Sequence, residues 1–381
     1  MKKKLLIINH SWVRGAGQEL LDFLRKKKHH IIYIEHSLTE YSSSKHTMVQ
    51  KFINNKLVYK KKYFYFFKKN TLIFFEQFLL NCFLMFKYSK KIDLAISTNC
   101  FNTFCVAFFK KILKINKNIY YCIDYMPKRF DNLFLNFIYK YFDYFSTLKS
   151  DFCWNLNYRM TKKKVKEYKI NKKNKFVTVP IGVPRLKIKN NKLINKKIIL
   201  VFFGTIKKDN GLELIFNAHA KYFQNNNLFE TWIIGKGSYF NELKKNIKKN
   251  EIKNLRVFGE INNSKKIDEL FISYKFIGLA PYKFNYQAYY ADVTKPKFYI
   301  NYGIPVVITK FVSISKDIEK NKLGKVINYN LKSYLLAIRK IAKEIKYDRK
   351  IMQKRIHNFA QNNYLWDKIF ISTFNKIKYE I

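Results

Sequence analysis

Acidic side chains are scarce: 26 Asp and Glu stand against 75 Lys and Arg, a formal net charge of +49. No dense cluster of Asp or His has metal-ligand spacing, so the sequence offers no metal centre. Cysteine is sparser still. Cys82, Cys100, Cys105, Cys122 and Cys153 are odd in number, sit in the first half and form no short pair of the metal-binding or redox kind, which fits a reduced compartment. Long apolar runs are missing as well. The start MKKKLLIINH has the positive charge of a signal peptide, but its apolar stretch ends at Asn9 and His10, short of the roughly 7 to 15 residues such a segment needs. It reads as a first β-strand. The most hydrophobic stretch, Thr71 to Phe86, contains Glu76, Gln77 and Asn81 and falls short of the roughly 20 apolar residues that span a bilayer. Short-period repeats are absent, which argues against a solenoid. The histidines, His10, His29, His30 and His36 among them, form no triad-like arrangement, so nucleophilic hydrolysis finds no support.

With 381 residues and 48% hydrophobic composition, the chain is long enough for two domains with a large core. The basic excess is mostly Lys and comes with abundant Asn, Ile, Phe and Tyr, a set that an AT-rich coding sequence favours without any selection for binding. A surface this basic is also drawn to acidic headgroups, at roughly 1 kcal/mol per well-placed cation. No nucleic-acid recognition motif accompanies the charge, and nucleic acid is not an expected partner.

Apolar strands alternate with helical patterns in both halves, the signature of an α/β chain with parallel, helix-covered sheets. In the first half Leu5 to Asn9 is a strand, Ser11 to Gly17 a glycine-bearing loop and Gln18 to Lys28 a helix. The strands Ile31 to Glu35, Leu94 to Ser97 and Ile119 to Ile123 follow, with a helix over Thr103 to Leu113. From Tyr41 to Ser89 the rhythm breaks at an aromatic block, where a Phe- and Leu-rich helix is bordered by Lys60, Lys61, Lys62, Lys68, Lys69, Lys90 and Lys91. That is the pattern of an interfacial membrane anchor or of a core helix of the first domain. A strand near Phe176 to Pro180 runs into a polar, proline-bearing linker. The second half restarts with strands at Ile198 to Phe203, Glu230 to Ile234, Leu255 to Phe258, Phe276 to Ala280 and Pro305 to Ile308, separated by helices. Tyr334 to Ile381 reads as helices. The expected organisation is a first Rossmann-like domain at 1–180, a linker at 181–197, a second Rossmann-like domain at 198–355, and a helix at 356–381 that packs back on the first.

Three glycine sites in the second half each follow an expected strand: Gly204 after VFF, Gly235 and Gly237 in WIIGKG, and Gly259 after LRVF. Glycine there lets a phosphate approach the backbone while the next helix supplies N–H donors. The order VFFGTIKKDNG, WIIGKG, LRVFGEI, FIGLAPY, ADVTKPKFYINYGIPVVIT resembles the donor-binding half of family-4-type (group 1) glycosyltransferases of the GT-B fold. The resemblance covers Ile198 to Thr309 well; the first half matches loosely, through VRGAG, YYCIDYMPKRFDN and SDFCWNLNYRM. It implies two Rossmann-like domains across a cleft and transfer of a sugar from a nucleotide diphosphate, retaining in configuration and without an obligatory metal. The nucleotide sugar is then a co-substrate, with no separate cofactor. A saccharide or lipid-linked saccharide is the implied acceptor, and the basic, aromatic-rich first domain leads to the expectation that the chain works at the cytoplasmic face of an anionic membrane.

Four family positions depart from the pattern. Thr205 stands for the arginine after the first glycine, Asn210 for the lysine before the second, and Tyr290 and Phe298 for two glutamates eight positions apart. Replacements lie close by: Lys207 and Lys208 in the same loop, and Lys295 in the first turn of a helix that Thr294 can cap. Asp292 is a candidate for a sugar or ribose hydroxyl. In the first half Asp124 follows the strand IYYCI and can orient a substrate hydroxyl or pair with Arg129; Gly15 and Gly17 let the first loop pass near phosphates or simply turn. A non-catalytic binding protein with a decayed donor site is the other reading of these departures.

Overall fold

In the computed structural model the chain divides into two compact units, Met1–Ile181 with Trp366–Ile381, and Gly182–Leu365. The structure describes residues 2–11, 14–37, 45–67, 70–171, 175–187, 194 and 197–381, with backbone alone for 70 and 71. Part of the expected linker, 188–193 with 195 and 196, lies outside them, as do two residues of the first loop, 12 and 13.

The first unit runs β1 (Lys4–Ser11), α1 (Ala16–Lys26), β2 (His30–Ser37), β3 (His46–Ile53), β4 (Lys56–Phe64), α2 (Asn70–Tyr88), β5 (Ile92–Thr98), α3 (Cys100–Phe109), β6 (Ile115–Cys122), α4 (Leu133–Lys149), β7 (Phe152–Asn155), α5 (Tyr158–Glu167) and β8 (Phe176–Thr178). Its sheet has the order β4-β3-β2-β1-β5-β6-β7-β8. All pairings are parallel except those of the β3–β4 hairpin. Leu5 sits beside both Ile31 and Leu94, so β1 is covered on both edges, as its unbroken apolar run requires. The chain lays β2 on one side of β1 and returns to place β5 on the other. The carboxyl ends of β1 and β5 are thus a topological switch point, where open α/β sheets hold ligands.

The hairpin corrects the reading of the 41–89 interval. Asn54 and Asn55 have φ of +50° and +73°, the two-residue turn that matches strand twist and that Asn tolerates. Lys60, Lys61 and Lys62 therefore lie on β4 and do not border α2, while Lys68 and Lys69 lie outside the described residues. α4 and α5, which carry the buried Asp143 and Lys164, lie where the sequence pattern did not separate helix from loop.

The second unit runs β9 (Ile198–Phe203), α6 (Leu212–Ala218) with a π-turn at His219–Phe223, β10 (Phe229–Ile234), α7 (Phe240–Lys249), β11 (Leu255–Phe258), α8 (Ser264–Ser273), β12 (Lys275–Ala280), α9 (Tyr286–Tyr290), α10 (Thr294–Asn301), β13 (Val306–Thr309), α11 (Ser315–Lys320), β14 (Gly324–Ile327) and α12 (Leu331–Asn363). The six strands are all parallel, in the order β11-β10-β9-β12-β13-β14, with a switch point at β9 and β12. Buried Leu200, Phe202, Ile233, Ile277, Val307 and Ile308 fill its core. α12 continues through the expected 355/356 boundary, with one non-helical residue at Asp348. The change of unit falls at Leu365, and only α13 (Trp366–Lys376) joins the first unit. There Phe370 lies 5.3 Å from Phe23 and Phe374 lies 5.2 Å from Trp154, ring to ring.

Candidate functional site

At the β9/β12 switch point the backbone is packed too closely for side chains. Gly204 ends β9 with φ +138°, and its N–H donates to the Ile234 carbonyl at 2.9 Å. Gly235 has φ +145°, and a Cβ there would stand 2.0 Å from the Gly204 carbonyl oxygen. Gly237 is held in the same way against the Ile206 carbonyl, 2.3 Å from where its Cβ would be. Gly259, by contrast, faces open space.

Lys295 reaches into this place. A Cβ on Gly204 would lie 3.3 Å from Lys295 Cε and 3.9 Å from Nζ. The ammonium is buried and has no hydrogen-bond partner; Nζ lies 3.2 Å from the centre of the Phe202 ring and 5.3 Å from that of Tyr282. Burial without a counter-charge pushes its pKa well below the usual lysine range. Its helix is fixed by Tyr299, whose hydroxyl receives the Phe203 N–H at 2.7 Å and donates to the Val201 carbonyl at 3.1 Å. A buried cation beside glycine strand ends and the first turn of α10 is an arrangement that an oxyanion completes.

Other expected donor-site groups are engaged elsewhere. Lys208 pairs with Glu242 at 2.8 Å and lies over the Tyr239 ring, because α7 brings a carboxylate beneath the loop. Asp292 forms a buried ion pair with Lys297 at 2.5 Å, five residues along the same segment. Thr294 does not cap α10. The N-cap position is Val293, and Thr294 is the exposed first helical residue. Asn210 donates from Nδ2 to the Thr205 carbonyl at 2.7 Å and so closes the loop on itself, while Thr205 and Lys207 are exposed. Phe298, in place of the family's second glutamate, stacks on Phe203 at 4.9 Å. The site at that position is apolar.

The first unit has its own polar constellation at the β1/β5 switch point, and sequence reading missed it. His10 Nδ1 accepts from Asn99 Nδ2 at 2.6 Å and Asn102 Nδ2 at 2.9 Å, which leaves its Nε2–H to donate to Gln77 Oε1 at 3.0 Å. Burial lowers the His10 pKa to about 4, so the ring is neutral at physiological pH. Gly15 is the N-cap of α1, its N–H held by Gln18 Oε1 at 3.0 Å, and Gly17 faces the side chain of Asn9. Asp124 is half-exposed and accepts from Arg129 at 2.7 Å. The only forewarning in sequence was polar Asn9 and His10 at the end of an apolar strand.

No group of three or more His, Cys, Asp or Glu among the described residues is placed to hold a metal ion. Neither protein-family models nor curated protein sequences match this chain. Solved structures do. The apo form of the lipopolysaccharide outer core galactosyltransferase WaaB superposes at TM-score 0.63 over 98% of this chain and 99% of that one, with 14% identity. HepE of Anabaena, solved with UDP, gives 0.64 over 99% and 100%, at 12% identity. The catalytic domain of starch synthase IV from Arabidopsis thaliana, bound to ADP and acarbose, gives 0.68 over 99% of each, at 10%. The chain has the GT-B fold. Within that fold the β9/β12 switch point is the place where its two strongest sequence signals, the strand-end glycines and the TKPK helix, come together.

Proposed function

We propose that this GT-B chain is a glycosyltransferase that moves a sugar from a nucleotide-diphosphate donor to a saccharide or lipid-linked saccharide acceptor, in surface polysaccharide or lipooligosaccharide synthesis on the cytoplasmic side. The observation that carries the reading is the buried Lys295 amine, unpartnered, beside Gly204 and in the first turn of α10. In this scheme the donor diphosphate supplies the missing counter-charge, and protonated Lys295 stabilises the negative charge that develops on the leaving phosphate oxygen. No metal is needed to balance that charge. Transfer is with retention: the anomeric C–O bond to the diphosphate breaks as the acceptor oxygen bonds the same carbon from the same face, and the departing phosphate oxygen takes the acceptor hydroxyl's proton. Losing one such donor group typically costs roughly 3 kcal/mol in the barrier. Asp124, beside Arg129, is assigned to orient a substrate hydroxyl in the first unit.

Thermal shifts with UDP-, GDP-, CMP- and dTDP-sugars test the reading. At least one should stabilise the protein, and Lys295→Ala should abolish that shift and turnover together. Absence of any shift would end the proposal. The aromatic pair Phe203 and Phe298, standing where a carboxylate is expected, favours a second reading as a binding protein with a decayed donor site. That reading requires nucleotide-sugar binding with no donor hydrolysis or transfer.

A further inference from the structure

The helix α2 is inverted with respect to an ordinary surface helix. Its buried side carries Gln77 and Asn81 together with Ile73, Leu84 and Met85, and Gln77 hydrogen-bonds to His10, Tyr65 and the Ser37 carbonyl. Its exposed side carries Leu72, Phe75, Leu79, Phe83 and Phe86, at steps of three and four residues, the spacing of one helix face. α4 repeats the pattern: Phe134, Phe137, Tyr141, Tyr144 and Leu148 are exposed, again at steps of three and four, while Asp143, Ser146 and Thr147 point inward.

α3 packs beside both helices and joins the two stripes. Phe104 lies 6.2 Å from Phe78 of α2 and 4.5 and 4.7 Å from Phe142 and Phe145 of α4, ring to ring. At its end Phe108 and Ile112 are exposed. The three helices thus present one continuous aromatic and aliphatic face, larger than the scattered apolar residues of a monomeric soluble protein. The carboxylates within the helices themselves are withdrawn from it. Glu76 accepts the Phe66 and Phe67 N–H groups at 2.7 and 3.1 Å, and Asp143 is buried against Lys164. Cations collect where the helices end: Lys87 in the last turn of α2 with Lys90 and Lys91 after it, Lys111 and Lys114 after α3, and Lys149 at the end of α4 are all exposed. Lys87 Nζ lies 5.4 Å from the Phe83 ring, its stem along the apolar surface and its charge at the rim.

We propose that this α2–α3–α4 face is the membrane-docking surface of the protein. The rings enter the headgroup boundary of an anionic leaflet, and the lysines at the helix ends meet lipid phosphates. Charge complementarity selects that occupant. A second copy of this chain would bring the same lysines and a net charge of +49 against themselves, whereas an anionic leaflet neutralises them. None of the helices crosses the bilayer in this arrangement, since none among the described residues is long and apolar enough. The attachment is interfacial. It is independent of the donor site in the second unit, so either proposal can fail alone.

The test is flotation of the full chain with vesicles of phosphatidylcholine alone and of phosphatidylcholine mixed with phosphatidylglycerol. The mixed vesicles should retain the protein and the neutral ones should not, and added salt should weaken retention. The double variant Phe134→Ser, Phe137→Ser changes side chains that are 69% and 67% exposed, so the fold does not rest on them. It should raise the lipid concentration for half-binding about tenfold or more, with melting temperature and any nucleotide-induced shift unchanged. Failure of the wild-type chain to bind mixed vesicles would overturn the proposal. So would equal binding to neutral vesicles, or a double variant that binds as the wild type does. A wild-type dimer that the double variant dissociates would assign the face to a second copy instead.

Discussion

Lys295 and Lys297 stand two residues apart in the first turns of α10, both buried, and only one of them has a carboxylate. Lys297 meets Asp292 at 2.5 Å, whereas Lys295 Nζ meets aromatic rings. Replacing each by Met should have opposite effects. Lys297→Met leaves Asp292 buried without its cation and should cost about 3–5 kcal/mol. Lys295→Met removes a buried amine that nothing solvates, so the unliganded protein should lose no stability and gain up to about 1–2 kcal/mol. Urea unfolding of the two variants reads the difference directly.

The same amine makes two pH dependences run in opposite directions. Its folded-state pKa lies well below the ordinary 10.5, so between those values the unfolded chain binds the extra proton. Stability from this group is therefore present above 10.5 and is lost as pH falls toward the depressed value. An anionic ligand prefers the protonated amine, so its affinity should fall as pH rises from the depressed value toward 10.5. Calorimetric titration with UDP across that range should show the decline in the wild-type chain and a flatter profile in Lys295→Met. A flat wild-type profile would contradict the assignment.

Gly235→Ala should disturb the β9/β10 strand ends before any ligand is present. An added Cβ would stand 2.0 Å from the Gly204 carbonyl oxygen at a backbone φ of +145°. Clash and strain together should cost roughly 2–4 kcal/mol. The melting temperature should drop accordingly, and Gly259→Ala, where nothing lies within 4 Å, should leave it within experimental error.

In the first unit Asp143 accepts from Lys164 at 2.7 Å, Tyr120 at 2.6 Å and Tyr168 at 2.7 Å, with both charged side chains fully buried. Burial works against the Lys164 ammonium, but the Asp143 carboxylate outweighs it and the lysine pKa is raised. Asp143→Asn would leave that cation unbalanced and should cost about 3–5 kcal/mol in a chemical denaturation experiment. Asp143→Asn with Lys164→Met should recover much of the loss.

The sequence was most legible where apolar runs of strand length end in glycine. β9, β10, β11 and β12 begin and end within a residue or so of their expected limits, because each is a short, mainly apolar run closed by a chain-turning residue, Gly204, Gly235, Gly259 or Pro281. The β3–β4 hairpin was opaque for the converse reason. β4 is exposed along most of its length and carries Lys and Tyr in place of an alternating apolar face, so only Asn54 and Asn55 announced it. The convergence of Gly204, Gly235 and Lys295 was legible in outline from their strand-end and helix-start positions. What no local pattern could give was which polar side chains would already be satisfied. Lys208 is occupied by Glu242, 34 residues away, and Asp292 by Lys297, whereas Lys295, in the same helix, is not.

The edges of the two sheets have a consequence of a different kind. β8 is three residues long and β11 and β14 are four each; the one long edge strand, β4, carries Lys56, Lys60, Lys61 and Lys62. A bare edge strand templates the backbone of a neighbouring molecule, and short length or lysine charge discourages it. For a chain whose sheets are otherwise so apolar, this guards against fibrous self-assembly at the concentrations in which a crowded cell would hold it.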